Sequence, residues 1–262
     1  SPASYWGGTA PSEEALRNLR ALGHLQPLLE RFLASEPLCD GAWFVGAQGY
    51  GRLFARRPVE ARRLRDHDPR ERSYYTLASP EQDPGRDARW TGVLSSEYGG
   101  VPLVAVVAPV YSRSGAFLGV TGLNLPLASI AAHAFNRPHP SVTLDKTTAS
   151  TRFTDEFSLL AGPEGEVLAV RPQDLAVPGL PAGGLQGRAP GEALRLNLQD
   201  SENPEVRNLA ADIRGRPGGQ VRLGLGGAPW VVFHHPIPCT GWSLCQFVPE
   251  AGMLAPLAGA HR

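Results

Sequence analysis

Val101-Pro102-Leu103-Val104-Ala105-Val106-Val107-Ala108-Pro109-Val110, followed by Phe117-Leu118-Gly119-Val120-Thr121-Gly122-Leu123-Asn124-Leu125, is the stretch that decides the fold. Both runs are rich in β-branched residues, and Ser112-Arg113-Ser114-Gly115 between them is a turn sequence, so together they read as an antiparallel hairpin. Upstream, Ala42 to Ala47 is a further strand. Between it and the hairpin lies a stretch rich in Arg, Asp, Pro and Gly. It is too long for a simple loop and is expected to carry short helices and functional side chains.

Two helices are expected before the first strand. Ser12 with Glu13 and Glu14 has the capping hydroxyl and first-turn carboxylates of a helix start, running to about Leu22 and closed by Gly23. Pro27 opens a second helix that places Leu28, Leu29, Phe32 and Leu33 on one face. Downstream of the hairpin, Pro126 to Phe135 fits a helix broken by Arg137-Pro138-His139-Pro140. A second strand-rich unit comes next. It has a hairpin of Phe157 to Ala161 and Val167 to Val170, a helix at Pro204 to Ile213, and three strands at Gln220 to Leu225, Trp230 to His235 and Trp242 to Val248. The expected class is α+β, with two PAS-like antiparallel-sheet modules in tandem behind N-terminal helices. The expected boundaries are 1–35 for the helical segment, 36–136 and 137–252 for the modules, and 253–262 for a C-terminal segment.

Composition removes several function classes. The chain has 262 residues, 42% of them hydrophobic, which is enough for packed cores. Its 25 basic and 25 acidic groups cancel, so no global field draws it to nucleic acid, and no nucleic-acid partner is expected. Cys39, Cys239 and Cys245 lack the paired spacing of a structural zinc site, and buried free thiols are favoured over a Cys239–Cys245 bond. His234 and His235 are adjacent in a strand and point to opposite faces, so they cannot chelate one metal from there. No metal and no cofactor are expected. Gly46-x-x-Gly49-x-Gly51 lacks the Lys-Ser/Thr ending of a phosphate loop and reads as a strand end. The absence of G-x-S-x-G and H-E-x-x-H patterns argues against a hydrolase, and the chain is expected not to be an enzyme.

Several short motifs, in order, carry a family resemblance. Asp68-Pro69-Arg70-Glu71-Arg72-Ser73-Tyr74-Tyr75-Thr76-Leu77-Ala78 resembles the D-P-R-x-R-P-W-Y-x-x-A stretch of double Cache extracytoplasmic sensor domains, with Tyr74 where Trp is usual. Trp90-Thr91, Pro109-Val110-Tyr111 and Gly119-Val120-Thr121-Gly122-Leu123-Asn124 are similar to later elements of that family. So are Thr240-Gly241-Trp242 and Val248-Pro249-Glu250 at the close. The resemblance runs from about residue 36 to 252.

The resemblance implies the ligand-binding sensor portion of a bacterial signal-transduction receptor, with its pocket in the membrane-distal module. It implies a periplasmic or extracellular location, anchorage to the membrane in the full-length protein, and is compatible with a receptor homodimer. The only Met is Met253, and the chain opening at Ser1-Pro2-Ala3 is expected to be a piece whose anchors lie outside it. Ligand contacts implied are Arg72, Tyr74, Tyr75, Trp90 and Asn124, with His67 as an added donor. In relatives that bind α-amino acids an aspartate pairs with the ammonium, and here that position is Asn124. A carboxamide cannot neutralise a cation, so a small organic anion, such as a short carboxylic acid, is the expected partner. The competing reading is a periplasmic protein-interaction domain without a small-molecule ligand. Arg72 then becomes a surface ion pair, and Tyr75 and Trp90 core aromatics.

Overall fold

The computed structural model describes residues 2–6, 12–56, 68–96, 101–135, 156–170, 197–216, 218–238 and 240–253. They fall into two compact units, the first holding the described residues up to Ser129 and the second those from Ile130 onward. His67, Cys239 and the expected linker after Phe135 lie outside the described residues. Among the described residues, no helix is long and apolar enough to cross a membrane.

The first unit is built on one antiparallel sheet. Its strands are β1 (Pro2–Trp6), β2 (Gly41–Gly46), β3 (Tyr50–Ala55), β4 (Arg89–Trp90), β5 (Leu94–Ser95), β6 (Pro102–Tyr111) and β7 (Phe117–Pro126). The order is β1-β3-β2-β7-β6-β4, with β5 also on β6. The β6–β7 hairpin forms where its sequence predicts. Ser112 Oγ accepts from the Ala116 N–H at 3.0 Å, and Gly115 takes the left-handed φ of 83° that closes the turn.

Four strands were not expected: the two-residue β4 and β5, in a stretch where short helices were expected, and the longer β3 and β1. The glycine cluster 46–51 is a hairpin turn leading into β3, made possible by Gly49 at φ 81°. At the N-terminus, Pro2–Trp6 adds an edge strand to β3 ahead of the helices. Its short run carries no apolar alternation that would mark a strand in advance.

Helices α1 (Glu13–Ala21) and α2 (Gln26–Ser35) are joined by a 3-10 turn at Leu22–Leu25 that carries the chain through Gly23. Leu33 is buried with Cys39, Ala42 and Phe54, and Leu29 and Phe32 pack against that cluster. Leu28 instead stands 63% exposed, a position off the packing stripe. Arg56 closes the end of α2, its guanidinium donating to the carbonyls of Leu33, of Glu36 at 3.0 Å and of Cys39 at 2.7 Å. The Leu33 and Glu36 carbonyls are ones that the helix end leaves without intrahelical partners, and the Cys39 carbonyl ties in the chain that follows.

The second unit has its own sheet. Its strands are β8 (Phe157–Ala161), β9 (Val167–Val170), β10 (Gly219–Leu225), β11 (Ala228–Ile237) and β12 (Trp242–Pro249), in the order β10-β11-β12-β8-β9. Helix α5 (Pro204–Gly215) covers one face, after α4 (Leu127–Phe135) earlier in the chain. Asn203 caps α5, its side-chain oxygen accepting from the Glu205 N–H at 2.9 Å, with Pro204 at the first helical position. Val206, Leu209 and Ala210 then meet Leu159, Val232, Cys245 and Phe247, all inaccessible to solvent. Phe157 and Phe247 stack with ring centroids 4.3 Å apart. Each such fully buried side chain contributes about 1.5–3 kcal/mol relative to exposure.

Burial pushes the Cys245 thiol up to about 12. Because the folded value exceeds the unfolded one, this group favours the fold below about pH 8.5 and loses that contribution as pH climbs toward the folded value. Cys245 is expected to resist iodoacetamide in the native protein at pH 8 and to react fully in urea, read by peptide mass spectrometry. Native-state modification at the unfolded rate would contradict the burial. His234 and His235 do face opposite sides: His234 is 2% exposed and shares a 2.9 Å hydrogen bond with Asp212 of α5, while His235 is exposed.

Candidate functional site

Side chains paired directly across an antiparallel sheet share a face, so the register sorts the first unit's sheet into two sides. One side carries Trp43, Leu53, Ala105, Val107, Val120, Gly122 and Asn124. The other carries Ala42, Phe54, Val106 and Leu123, and packs on α2.

The tyrosine segment covers the first side. Asp68 accepts from the Arg70 N–H at 2.9 Å and starts a 3-10 turn at Pro69–Glu71. Arg72 is extended, at φ −82° and ψ 146°, and its carbonyl receives the N–H of Tyr75 at 2.9 Å and of Thr76 at 3.0 Å, which begins the short helix α3 (Ser73–Thr76). Arg70 is held by the Asp68 carboxylate at 2.5 Å and by the Ala47 carbonyl at 3.2 Å, so its charge is used to fasten this segment to the β2–β3 turn.

The arrangement brings Tyr74, Tyr75 and Asn124 to the same side of the sheet, with Arg72 opening the short helix that carries the tyrosines. Arg72 is partly buried, and its Nε is shielded from solvent. Tyr75 is 7% exposed, packs in the core cluster and meets Phe117 edge-on at 6.3 Å. Burial raises its phenol above the usual tyrosine value, with nearby Arg70 acting in the opposite sense, so at neutral pH it is a hydroxyl donor. Tyr74 contacts the Trp43 ring edge-on at 4.9 Å.

Trp90 is not brought there. Its register with Val106, which pairs with Leu123, sets it on the α2 side of the sheet. Strand side chains alternate, so the next residue, Thr91, faces the tyrosines instead. Thr91 is 5% exposed, and its Oγ1 accepts from the Ala105 N–H at 2.9 Å.

Trp43 supplies the indole at this site. Its Nε1 donates to Asn124 Oδ1 at 2.8 Å in a buried hydrogen bond. It lies over Gly122, where an added Cβ would come within 2.3 Å of the ring. Gly122 is therefore a seat for the indole, a close approach only glycine permits. A glycine interrupting an apolar strand, with a tryptophan in the strand that turns out to be its neighbour, was the available signal. Only strand order reveals that the two are opposite each other.

Asp83 is the other group that motif reading passed over. Its side chain is wholly inaccessible to solvent, and Oδ1 accepts from both Arg89 Nε at 3.0 Å and the same guanidinium's terminal nitrogen at 2.8 Å. Arg89 pairs with Val107 and so belongs to the tyrosine side. Among the described residues, no group of three or more His, Cys, Asp or Glu side chains is placed to hold a metal.

No protein-family model matches the chain, and no curated protein is similar to it in sequence. Solved structures are similar in fold. The extracellular domain mmHK1S-Z3, from a protein described as a histidine kinase, aligns over 96% of this chain and 86% of its own, at TM-score 0.61 and 18% identity. The ligand-binding domain of the Pseudomonas aeruginosa PAO1 amino acid chemoreceptor PctB, in complex with L-Arg, aligns over 97% of this chain and 81% of its own, at TM-score 0.55 and 15% identity. That of the Pseudomonas fluorescens chemoreceptor CtaA, in complex with L-alanine, covers 91% of this chain and 85% of its own, at TM-score 0.54 and 13% identity. The fold is that shared by these extracellular and ligand-binding domains. Two antiparallel sheets with few helices make up its tandem PAS-like arrangement.

Proposed function

We propose that the chain is the extracytoplasmic ligand-binding portion of a bacterial signal-transduction receptor, and that the first unit, as the membrane-distal module, binds a small organic anion. The observation that carries this reading is the buried Trp43–Asn124 hydrogen bond. The polar group on the ligand-facing strand is neutral, and its oxygen is engaged by an indole. A neutral carboxamide at this position gives an ammonium no counter-charge, which favours an anion without an obligatory amino group. Arg72 provides the planar cationic fork, and the Tyr74 and Tyr75 phenols the adjoining wall. Structural neighbours bind amino acids, which supports a small-molecule ligand of similar size. The membrane-proximal role of the second unit and the relay to a membrane anchor belong to the same reading.

A sensor exists in two states, and its ligand acts by favouring one of them. A thermal-shift screen of short carboxylic acids and amino acids tests the assignment, because a ligand specific to the folded state must raise Tm. A carboxylate is expected to raise Tm, and Arg72→Ala is expected to abolish the shift while leaving the circular dichroism spectrum unchanged. Full retention of binding in Arg72→Ala refutes this site.

A further inference from the structure

The Asp83 carboxylate has one oxygen more than the fold uses. Its side chain is 0% exposed, both Arg89 contacts fall on Oδ1, and Oδ2 is enclosed with no hydrogen-bond partner. A buried carboxylate oxygen without a donor is an unfavourable arrangement, and a bound group that supplies a donor relieves it. Its place is specific. Asp83 comes after α3 within the segment whose Tyr75 and Ala78 pack in the core cluster. Its partner Arg89 stands in the cross-strand row Val107, Gly122 and Trp43, adjacent to the row that holds Asn124 and Thr91. Asp83 is therefore a buried acceptor bound to an arginine on the sheet face where Tyr74 and Tyr75 pack.

We infer that Asp83 is a specificity-determining residue of this site, accepting a hydrogen bond from a hydroxyl on the ligand, so that the anion sensed is a hydroxycarboxylic acid. The inference rests on the carboxylate-sensor reading above. The donor is a hydroxyl and not an ammonium for an electrostatic reason. Arg89 already neutralises Asp83, so an ammonium would add an uncompensated buried charge, whereas a hydroxyl completes the acceptor at no charge cost.

Two matched sets test this by titration calorimetry on the whole chain: propionate, L-lactate and L-alanine, then succinate, L-malate and L-aspartate. In the wild type at least one hydroxy acid is expected to bind about tenfold or more tighter than its plain counterpart. Asp83→Asn should bring that ratio within about threefold, because the acceptor for the hydroxyl is lost while any change in the charge around Arg89 acts on plain and hydroxy acids alike. If plain and hydroxy acids bind equally and Arg72→Ala abolishes both, the Asp83 assignment is overturned, Oδ2 holds only a buried water, and the sensor reading survives. Tightest binding by the amino acid overturns the hydroxyl preference. No binding by any of the six overturns both readings. Should Asp83→Asn not fold, judged by circular dichroism, the wild-type ranking decides alone.

Discussion

Trp43→Ala is expected to destabilise the first unit by about 3–5 kcal/mol, the range for removing a large buried aromatic side chain. Three losses combine. The indole fills the space above Gly122, supports the Tyr74 ring at 4.9 Å, and satisfies the buried Asn124 oxygen. Trp43→Phe separates them, because a phenyl ring keeps most of the packing and removes only the N–H donor. That variant should cost about 1–3 kcal/mol, the penalty for a buried acceptor left without its partner. Urea unfolding monitored by circular dichroism reads both. A Trp43→Ala variant within about 1 kcal/mol of wild type, on the scale of an ordinary surface substitution, would mean that the indole is not part of this core.

Asn124→Asp should change stability and ligand choice together. The introduced carboxyl keeps an oxygen for the Trp43 N–H, so the geometry is retained, but it places a charge at a position 7% exposed. Desolvation then raises its folded pKa above the unfolded value of about 3.9. A group shifted in that sense binds its proton more tightly in the folded state. The variant should match wild type most closely below about pH 4 and lose stability as pH rises toward the folded value. At neutral pH it should also bind a simple carboxylate more weakly, by like-charge repulsion, and gain response to an α-amino acid, whose ammonium supplies the missing counter-ion. Unfolding measured at pH 4 and pH 7, together with titration of propionate and L-alanine, checks each part. Equal stability at both pH values and unchanged propionate affinity would place residue 124 away from the ligand.

Much of this architecture was legible because local signals agreed with one another. The β6–β7 hairpin, the Phe157–Ala161 and Val167–Val170 pair, and the helix after Asn203 all combine periodicity with a turn or cap chemistry that permits one local answer. Where a signal was brief, it told only part of the arrangement. The Gly46–Gly51 cluster does end a strand, β2 at Gly46, but it also turns the chain into β3, since glycine marks an unusual φ and leaves the next element unspecified.

The site shows the same division. Tyr74 and Tyr75 are neighbours in sequence, so one short helix delivers both to the same core cluster, with Arg72 at its start. Trp90 and Thr91 differ by one residue, and a one-residue step in a strand reverses the face. No local feature of Trp90 says which of the two faces it takes.

The order of amino acids alone determined that this chain makes two small antiparallel sheets with few helices, that an arginine and two tyrosines travel together, and that position 124 carries no charge. Tertiary structure decided that Trp43 rather than Trp90 joins them, and that Asp83 is enclosed with an oxygen to spare. Periodicity and capping act over a few residues and are written locally, whereas the face a side chain takes depends on register between strands dozens of positions apart, which exists only once the sheet has formed.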